Sequence, residues 1–139
     1  MTPYALAALH ARCFRQPPPW NAASFGAQLD SPHTFLIADP QGRAFLLGRA
    51  VAGEAEILTL ATAPEARRLG LARDLIARFE TIARVRGAAD AFLEVAENNA
   101  PARALYAACG YAQNGRRPGY YVAESGQKVA AMSLCKSLA

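Results

Sequence analysis

Arg67-Arg68-Leu69-Gly70-Leu71-Ala72 follows an apolar strand pattern and opens a long amphipathic helix, so the stretch reads as strand, glycine turn and helix start. Backbone N–H groups at a helix N-terminus have no helical acceptor, and the helix dipole favours negative charge there. The arginines add full positive charges, and Gly70 lets the main chain approach a bound anion closely. These are the parts of a phosphate cradle. The same residues also describe a surface helix whose leading arginines stay solvated, and the turn alone does not separate the two readings.

Beyond the turn, Leu71, Leu75, Phe79 and Ile82 recur at helical spacing, with Arg73, Arg78, Arg84 and Arg86 on the wetter side. Gly87 stops that helix, which begins near Leu69. An apolar strand over 91–95, a helix over 99–109 and a strand near Tyr111 come next. Upstream, Thr2 caps a first helix with Pro3 in its first turn, and Leu6, Leu9, His10 and Cys13 share one face of it. Pro17-Pro18-Pro19 fixes a loop, after which Asn21 caps a short helix over 22–29. Strands over 35–39 and 44–49 pair through Pro40-Gln41-Gly42, a third runs over 54–60, and 119–123 with 129–134 form a terminal pair. Strands interleaved with helices, without internal repeats, fit an α/β fold in a single domain over 1–139.

A chain of 139 residues, 53% of them apolar, can bury a real core. Fifteen basic against eleven acidic side chains give a net charge of +4, which favours an anionic ligand but is too small to indicate nucleic-acid binding. Cys13, Cys109 and Cys135 are odd in number and widely spaced, so neither a disulfide framework nor a zinc site is expected. His10 and His33 lie at no spacing that suits a metal or a nucleophilic serine. No basic region precedes the first apolar run, which His10 and Arg12 interrupt, and no apolar stretch is long enough for a bilayer. The expectation is a cytoplasmic protein with no metal and no membrane partner.

A second motif changes the odds on the glycine turn. Asn99-Ala100-Pro101-Ala102-Arg103-Ala104-Leu105-Tyr106, followed by Cys109-Gly110-Tyr111, spells N-x-x-A-x-x-L-Y-x-x-x-G-Y. With the arginine-glycine turn at this separation, the chain resembles the GNAT family of acetyl-CoA-dependent N-acetyltransferases. Its whole order, from Leu6-Ala7-Ala8-Leu9-His10 and Pro19-Trp20 with Phe25 to Arg116-Arg117 and Tyr120-Tyr121, is similar to the ribosomal-protein-alanine N-acetyltransferases of that family. The resemblance implies a mixed, mainly antiparallel sheet flanked by helices, acetyl-CoA as co-substrate, and transfer to the N-terminal alanine of a small-subunit ribosomal protein. It further implies direct attack in a ternary complex, so that Cys109 is no nucleophile.

Residue by residue, the resemblance gives the backbone of Leu60, Ala61 and Thr62 to the pantetheine arm as an extra strand would. It gives Arg67, Arg68, Leu69, Gly70, Leu71, Ala72 and Arg73 to the diphosphate, and Asn99 to pantetheine. Tyr106 becomes the acid that protonates the departing thiolate, although the residue alone would equally be a core tyrosine with a satisfied hydroxyl. Glu94 becomes the general base. It alternates with Leu93 and Val95 on a strand expected to be largely buried, where desolvation would raise a carboxyl pKa; the plain alternative is a carboxylate facing solvent or paired with an arginine. Trp20, Arg116, Arg117, Tyr120 and Tyr121 could line a peptide groove or form a surface hairpin. Lys128 stands where similar chains carry an acidic residue, which weakens the expectation of a basic acceptor peptide. Two other readings stay open: acetylation of a different amine (a protein lysine, a polyamine or an antibiotic), and a silent acetyl-CoA-binding protein.

Overall fold

The sheet owes its shape to where its strands stop pairing. The computed structural model describes residues 1–14, 19–123 and 125–139, so Pro17 and Pro18 of the expected proline loop lie outside the described residues. Within them, strands β1 (Thr34–Ala38), β2 (Ala44–Val51), β3 (Glu54–Thr62), β4 (Asp90–Ala96), β5 (Ala112–Val122) and β6 (Lys128–Ser137) form one sheet in the order β1-β2-β3-β4-β6-β5. Every neighbouring pair is antiparallel except β3 and β4. That parallel pair is short, running from Glu54 opposite Asp90 to Glu56 opposite Phe92.

Helices α1 (Pro3–Cys13) and α2 (Ala22–Leu29) cover one face, and α3 (Leu71–Val85) and α4 (Ala100–Ala108) the other. Local chemistry sets their starts. The Thr2 hydroxyl accepts from Ala5 N at 3.1 Å, Asn21 Oδ1 from Ser24 N at 2.8 Å, and Asn99 Oδ1 from Ala102 N at 3.2 Å. On the first face Leu6, Leu9 and Phe25 pack on Phe45, Leu47 and Ala61. On the second, Leu75, Ile76, Phe79 and Ala83 of α3 bury against β1 to β4 in the larger core. The four arginines expected on the outer side of α3 are exposed there.

Two expectations are corrected. The strand near Tyr111 and the piece over 119–123 are one exposed edge strand, β5, broken in register between Arg117 and Tyr121. Exposed almost throughout, it carries none of the apolar alternation by which a strand is read. The long helix begins at Leu71 rather than near Leu69, because a 3-10 turn over Pro64–Ala66 and an extended Arg67 precede Gly70 as its N-cap.

Candidate active site

The cleft is made by a one-residue irregularity in β3. Leu47 pairs with Thr59 and Gly48 with Ile57, so Leu58 is the extra residue of a bulge. The bulge reverses the facing of the strand: Ala55 and Ile57 lie in the core under α3, whereas Ala61 lies in the core under α1. It also falls where β3 leaves β4, since their pairing ends at Glu56 and Phe92. Past that point both strands present free edges to a cleft of about 550 Å³, lined by 57–62 of β3 and 93–96 of β4.

Gly70, Leu71, Ala72, Arg67, Arg68 and Arg73 also line this cleft. Gly70 takes a left-handed φ of 78° and offers no side-chain cap, which leaves the first N–H groups of α3 without acceptors. Nothing lies within 4 Å of a Cβ built on Gly70, so the space over the turn is open. Arg68 is also left-handed, at φ 67°, a strained state for a residue with a Cβ. Among the described residues none of Arg67, Arg68 and Arg73 joins an ion pair. Open space, unsatisfied N–H donors and unpaired guanidinium groups together fit a diphosphate. Thr62 Oγ1, buried without a partner among the described residues, adds a polar atom at the cleft's edge.

Glu94 lines the same cleft, but not as expected. Leu93 and Val95 turn into the core, while Glu94 faces outward with its side chain one-third exposed and Oε1 3.3 Å from the Arg117 guanidinium. The expectation of a buried carboxylate is thus corrected in favour of the alternative, an arginine-paired group. Tyr106 is buried, and desolvation first, then the nearby Cys109 thiol, pushes its hydroxyl above the ordinary tyrosine value and keeps it protonated. Asn99 is the N-cap of α4 rather than a residue within it; its Oδ1 is engaged by Ala102 N, which leaves the amide nitrogen as the group for a ligand.

Residues 4–111 match the Acetyltransferase (GNAT) family. The chain belongs to the GNAT acetyltransferase family. It is 31% identical over 122 residues to the N-alpha-acetyltransferase RimI of Mycobacterium tuberculosis, covering 83% of this chain and 75% of that protein. It is 30% identical over 112 residues to the [ribosomal protein bS18]-alanine N-acetyltransferase of Escherichia coli K12, covering 79% and 76%. The crystal structure of the ribosomal-protein-S18-alanine N-acetyltransferase from Escherichia coli superposes with a TM-score of 0.86 at 25% identity, covering 97% of this chain and 86% of that one.

In this acetyltransferase the residues expected on the acceptor side divide. Trp20 and Tyr121 line the cleft; burial first and Glu94 second raise the Tyr121 hydroxyl. Arg117 holds Glu94 and lies 5.2 Å over the Tyr120 ring, whereas Tyr120 itself is exposed outside the lining and Arg116 pairs with Glu97 at 2.8 Å. Lys128 is exposed at the start of β6, away from the lining. Among the described residues no group of three or more His, Cys, Asp and Glu is placed to hold a metal, and no helix is long and apolar enough to cross a membrane. Sequence reasoning missed His10 and Thr59, which line the cleft; their pairing across 49 residues leaves no local signal.

Proposed function

We propose that this acetyltransferase transfers the acetyl group of acetyl-CoA to the N-terminal alanine of a ribosomal protein in the cytoplasm. The observation that carries the reading is the opening between β3 and β4, which joins the uncapped start of α3 at one part to Glu94 and Tyr106 at another. The name of the Mycobacterium tuberculosis relative supports an N-terminal amine as acceptor, and that of the Escherichia coli relative the alanine of a ribosomal protein.

In this reading the N–H groups at the start of α3, with Arg67, Arg68 and Arg73, take the diphosphate. The open edge at Leu60, Ala61 and Thr62, with the Asn99 amide, takes the pantetheine arm. Glu94 accepts a proton from the acceptor ammonium, whose reference pKa near 7.7 to 8.0 leaves it mostly charged at neutral pH. The neutral amine attacks the thioester carbonyl, the C–N bond forms and the C–S bond breaks. Tyr106 gives its proton to the sulfur, and the surplus proton that the attacking nitrogen sheds as the neutral amide forms restores the Tyr106 hydroxyl, directly or through water. Trp20 and Tyr121, with Arg117 beside them, border the acceptor's path. Cys109 has its carbonyl bound by Lys136 at 2.8 Å and caps the C-terminal end of α4, where no positive dipole end activates a thiol; it takes no covalent part.

Lys128 favours keeping a second reading, acetylation of another amine, because it reverses the charge expected near a basic acceptor chain. Its place outside the cleft lining limits that effect to acceptor residues beyond the first. The test is incubation with acetyl-CoA and peptides beginning with alanine, serine or methionine, alongside spermidine and a lysine peptide with a blocked N-terminus, following free thiol and product mass. Thiol release selective for the alanine peptide is expected. Selective acetylation of spermidine or the lysine side chain would replace the reading.

A further inference from the structure

α1 and β3 meet at a histidine that the proton chemistry above does not use. His10 is 1% exposed, with its ring stacked on Phe14 at 4.2 Å and edge-on to Phe25 at 5.6 Å. In surroundings so aromatic a phenyl ring would pack as well, and a buried imidazole needs partners for both nitrogens. It has two. The Trp20 N–H donates to Nδ1 at 3.1 Å, and Nε2 lies 2.9 Å from Thr59 Oγ1. Because Nδ1 accepts, the hydrogen bonds assign the ring hydrogen to Nε2, which donates to Thr59.

Both partners belong to the cleft. Trp20 stands in the connection between α1 and α2, and Thr59 directly follows the Leu58 bulge. His10, Trp20 and Thr59 all line the cavity. The imidazole therefore fixes the main chain of one wall to the side chain of the other, and its polarity has no other partner among the described residues.

We propose that His10 is a positioning residue for the acyl acceptor: as the Nε2–H tautomer it ties Trp20 to Thr59 and so sets the width of the cleft where the acceptor chain lies. This rests on the acceptor reading given above and names the residue that shapes that side of the site. Among the described residues the hydrogen bonds and ring contacts of His10 run to Thr59, Trp20, Phe14 and Phe25, and none joins it to Gly70 or Glu94.

The test combines His10→Phe, which keeps the ring and removes both hydrogen bonds, with His10→Asn, whose amide oxygen can still accept from Trp20 N–H, and Thr59→Val. His10→Phe should raise KM for the alanine-first peptide about tenfold, the effect of losing two hydrogen bonds of modest net worth, with kcat much less affected. Acetyl-CoA affinity by calorimetry should stay within about twofold of wild type, because the cradle is untouched. Trp20 is the chain's single tryptophan, so its emission should shift in His10→Phe and return toward wild type in His10→Asn. Thr59→Val should raise the same KM and add little on top of His10→Phe, since both act through one link. Wild-type acceptor KM and wild-type Trp20 emission in His10→Phe would overturn the proposal. So would acceptor KM and acetyl-CoA affinity weakening together. Should the wild type acetylate a different amine, the acceptor reading fails, while the same KM comparison with that amine and the Trp20 emission still decide the role of His10.

Discussion

Two side chains, Glu94 and His10, show how differently one cleft treats its ionisable groups. Glu94 is paired with Arg117 and partly solvated, so the base role proposed for it rests on its position in the cleft. Glu94→Gln should lower kcat toward the alanine peptide by about 10²-fold at pH 7, the usual worth of a positioned general base, with acetyl-CoA affinity unchanged. The deficit should shrink in a rate series taken above pH 8, where the amine is already neutral. Equal rates at pH 7 would end the assignment. His10 behaves in the opposite way, since burial pulls it from its ordinary 6.5 down to about 4. The groups packed on it, Phe14, Trp20, Phe25 and Thr59, carry no charge. Between those two pH values the unfolded chain binds a proton that the folded chain refuses, so stability falls as pH drops from about 6.5 to about 4. The loss amounts to roughly 3 kcal/mol by the linkage relation. Urea titrations across that range should show a slope in the wild type that is shallower by this amount in His10→Phe, the remainder coming from the arginine-paired carboxylates of Asp39, Glu65 and Glu97.

At the scale of elements, the bulge in β3 and the residue opposite it set the cleft. Gly48 pairs with Ile57 beside the bulge, and a Cβ there would lie 2.8 Å from Phe79 Cδ1 and 2.9 Å from Phe35 Cζ. Those two rings are themselves stacked at 5.8 Å within the core, so neither can swing aside cheaply. Gly48→Ala should therefore cost about 1–3 kcal/mol, measured as a lower urea midpoint with an unchanged m-value. The helices were legible beforehand because their signals are local: Thr2, Asn21 and Asn99 act on N–H groups three residues away, and Gly87 ends α3 at φ 86°. Strands β1 to β4 were legible from their apolar runs. The bulge at Leu58 was not, because it exists only as a mismatch with Leu47 and Gly48, and a pairing register is invisible in one strand. The candidate site divides along the same line. Gly70, the arginines beside it, Asn99 and Tyr106 sit in contiguous motifs, whereas the Glu94–Arg117 and His10–Thr59 pairs join distant strands and helices.

Across the whole molecule, the sheet is held together everywhere except along the cleft. Each face has its own core, and below the open edges β3 and β4 share only three register positions. Behind α4 a buried polar network binds the second layer: Glu80 of α3 accepts from Lys136 of β6 at 2.8 Å and from the Tyr111 hydroxyl at 3.1 Å, and Lys136 also reaches the Cys109 carbonyl. That network fixes α4, and with it Tyr106, independently of any ligand. Among the described residues β3 and β4 do not pair past Glu56 and Phe92, so a molecule that hydrogen-bonds to the free edge of β3 while its diphosphate engages α3 binds only the folded chain and must stabilise it. Acetyl-CoA at a hundred times its Kd should add about 2.7 kcal/mol, which for a domain of this size raises Tm by on the order of 8 °C. Gly70→Glu, which puts bulk and a negative charge at the start of α3, should abolish the shift while lowering the Tm of the free protein by several degrees, because nothing packs above that position but a residue with a Cβ is strained at φ 78°. A Gly70→Glu protein stabilised by acetyl-CoA as strongly as the wild type would mean that the diphosphate binds elsewhere.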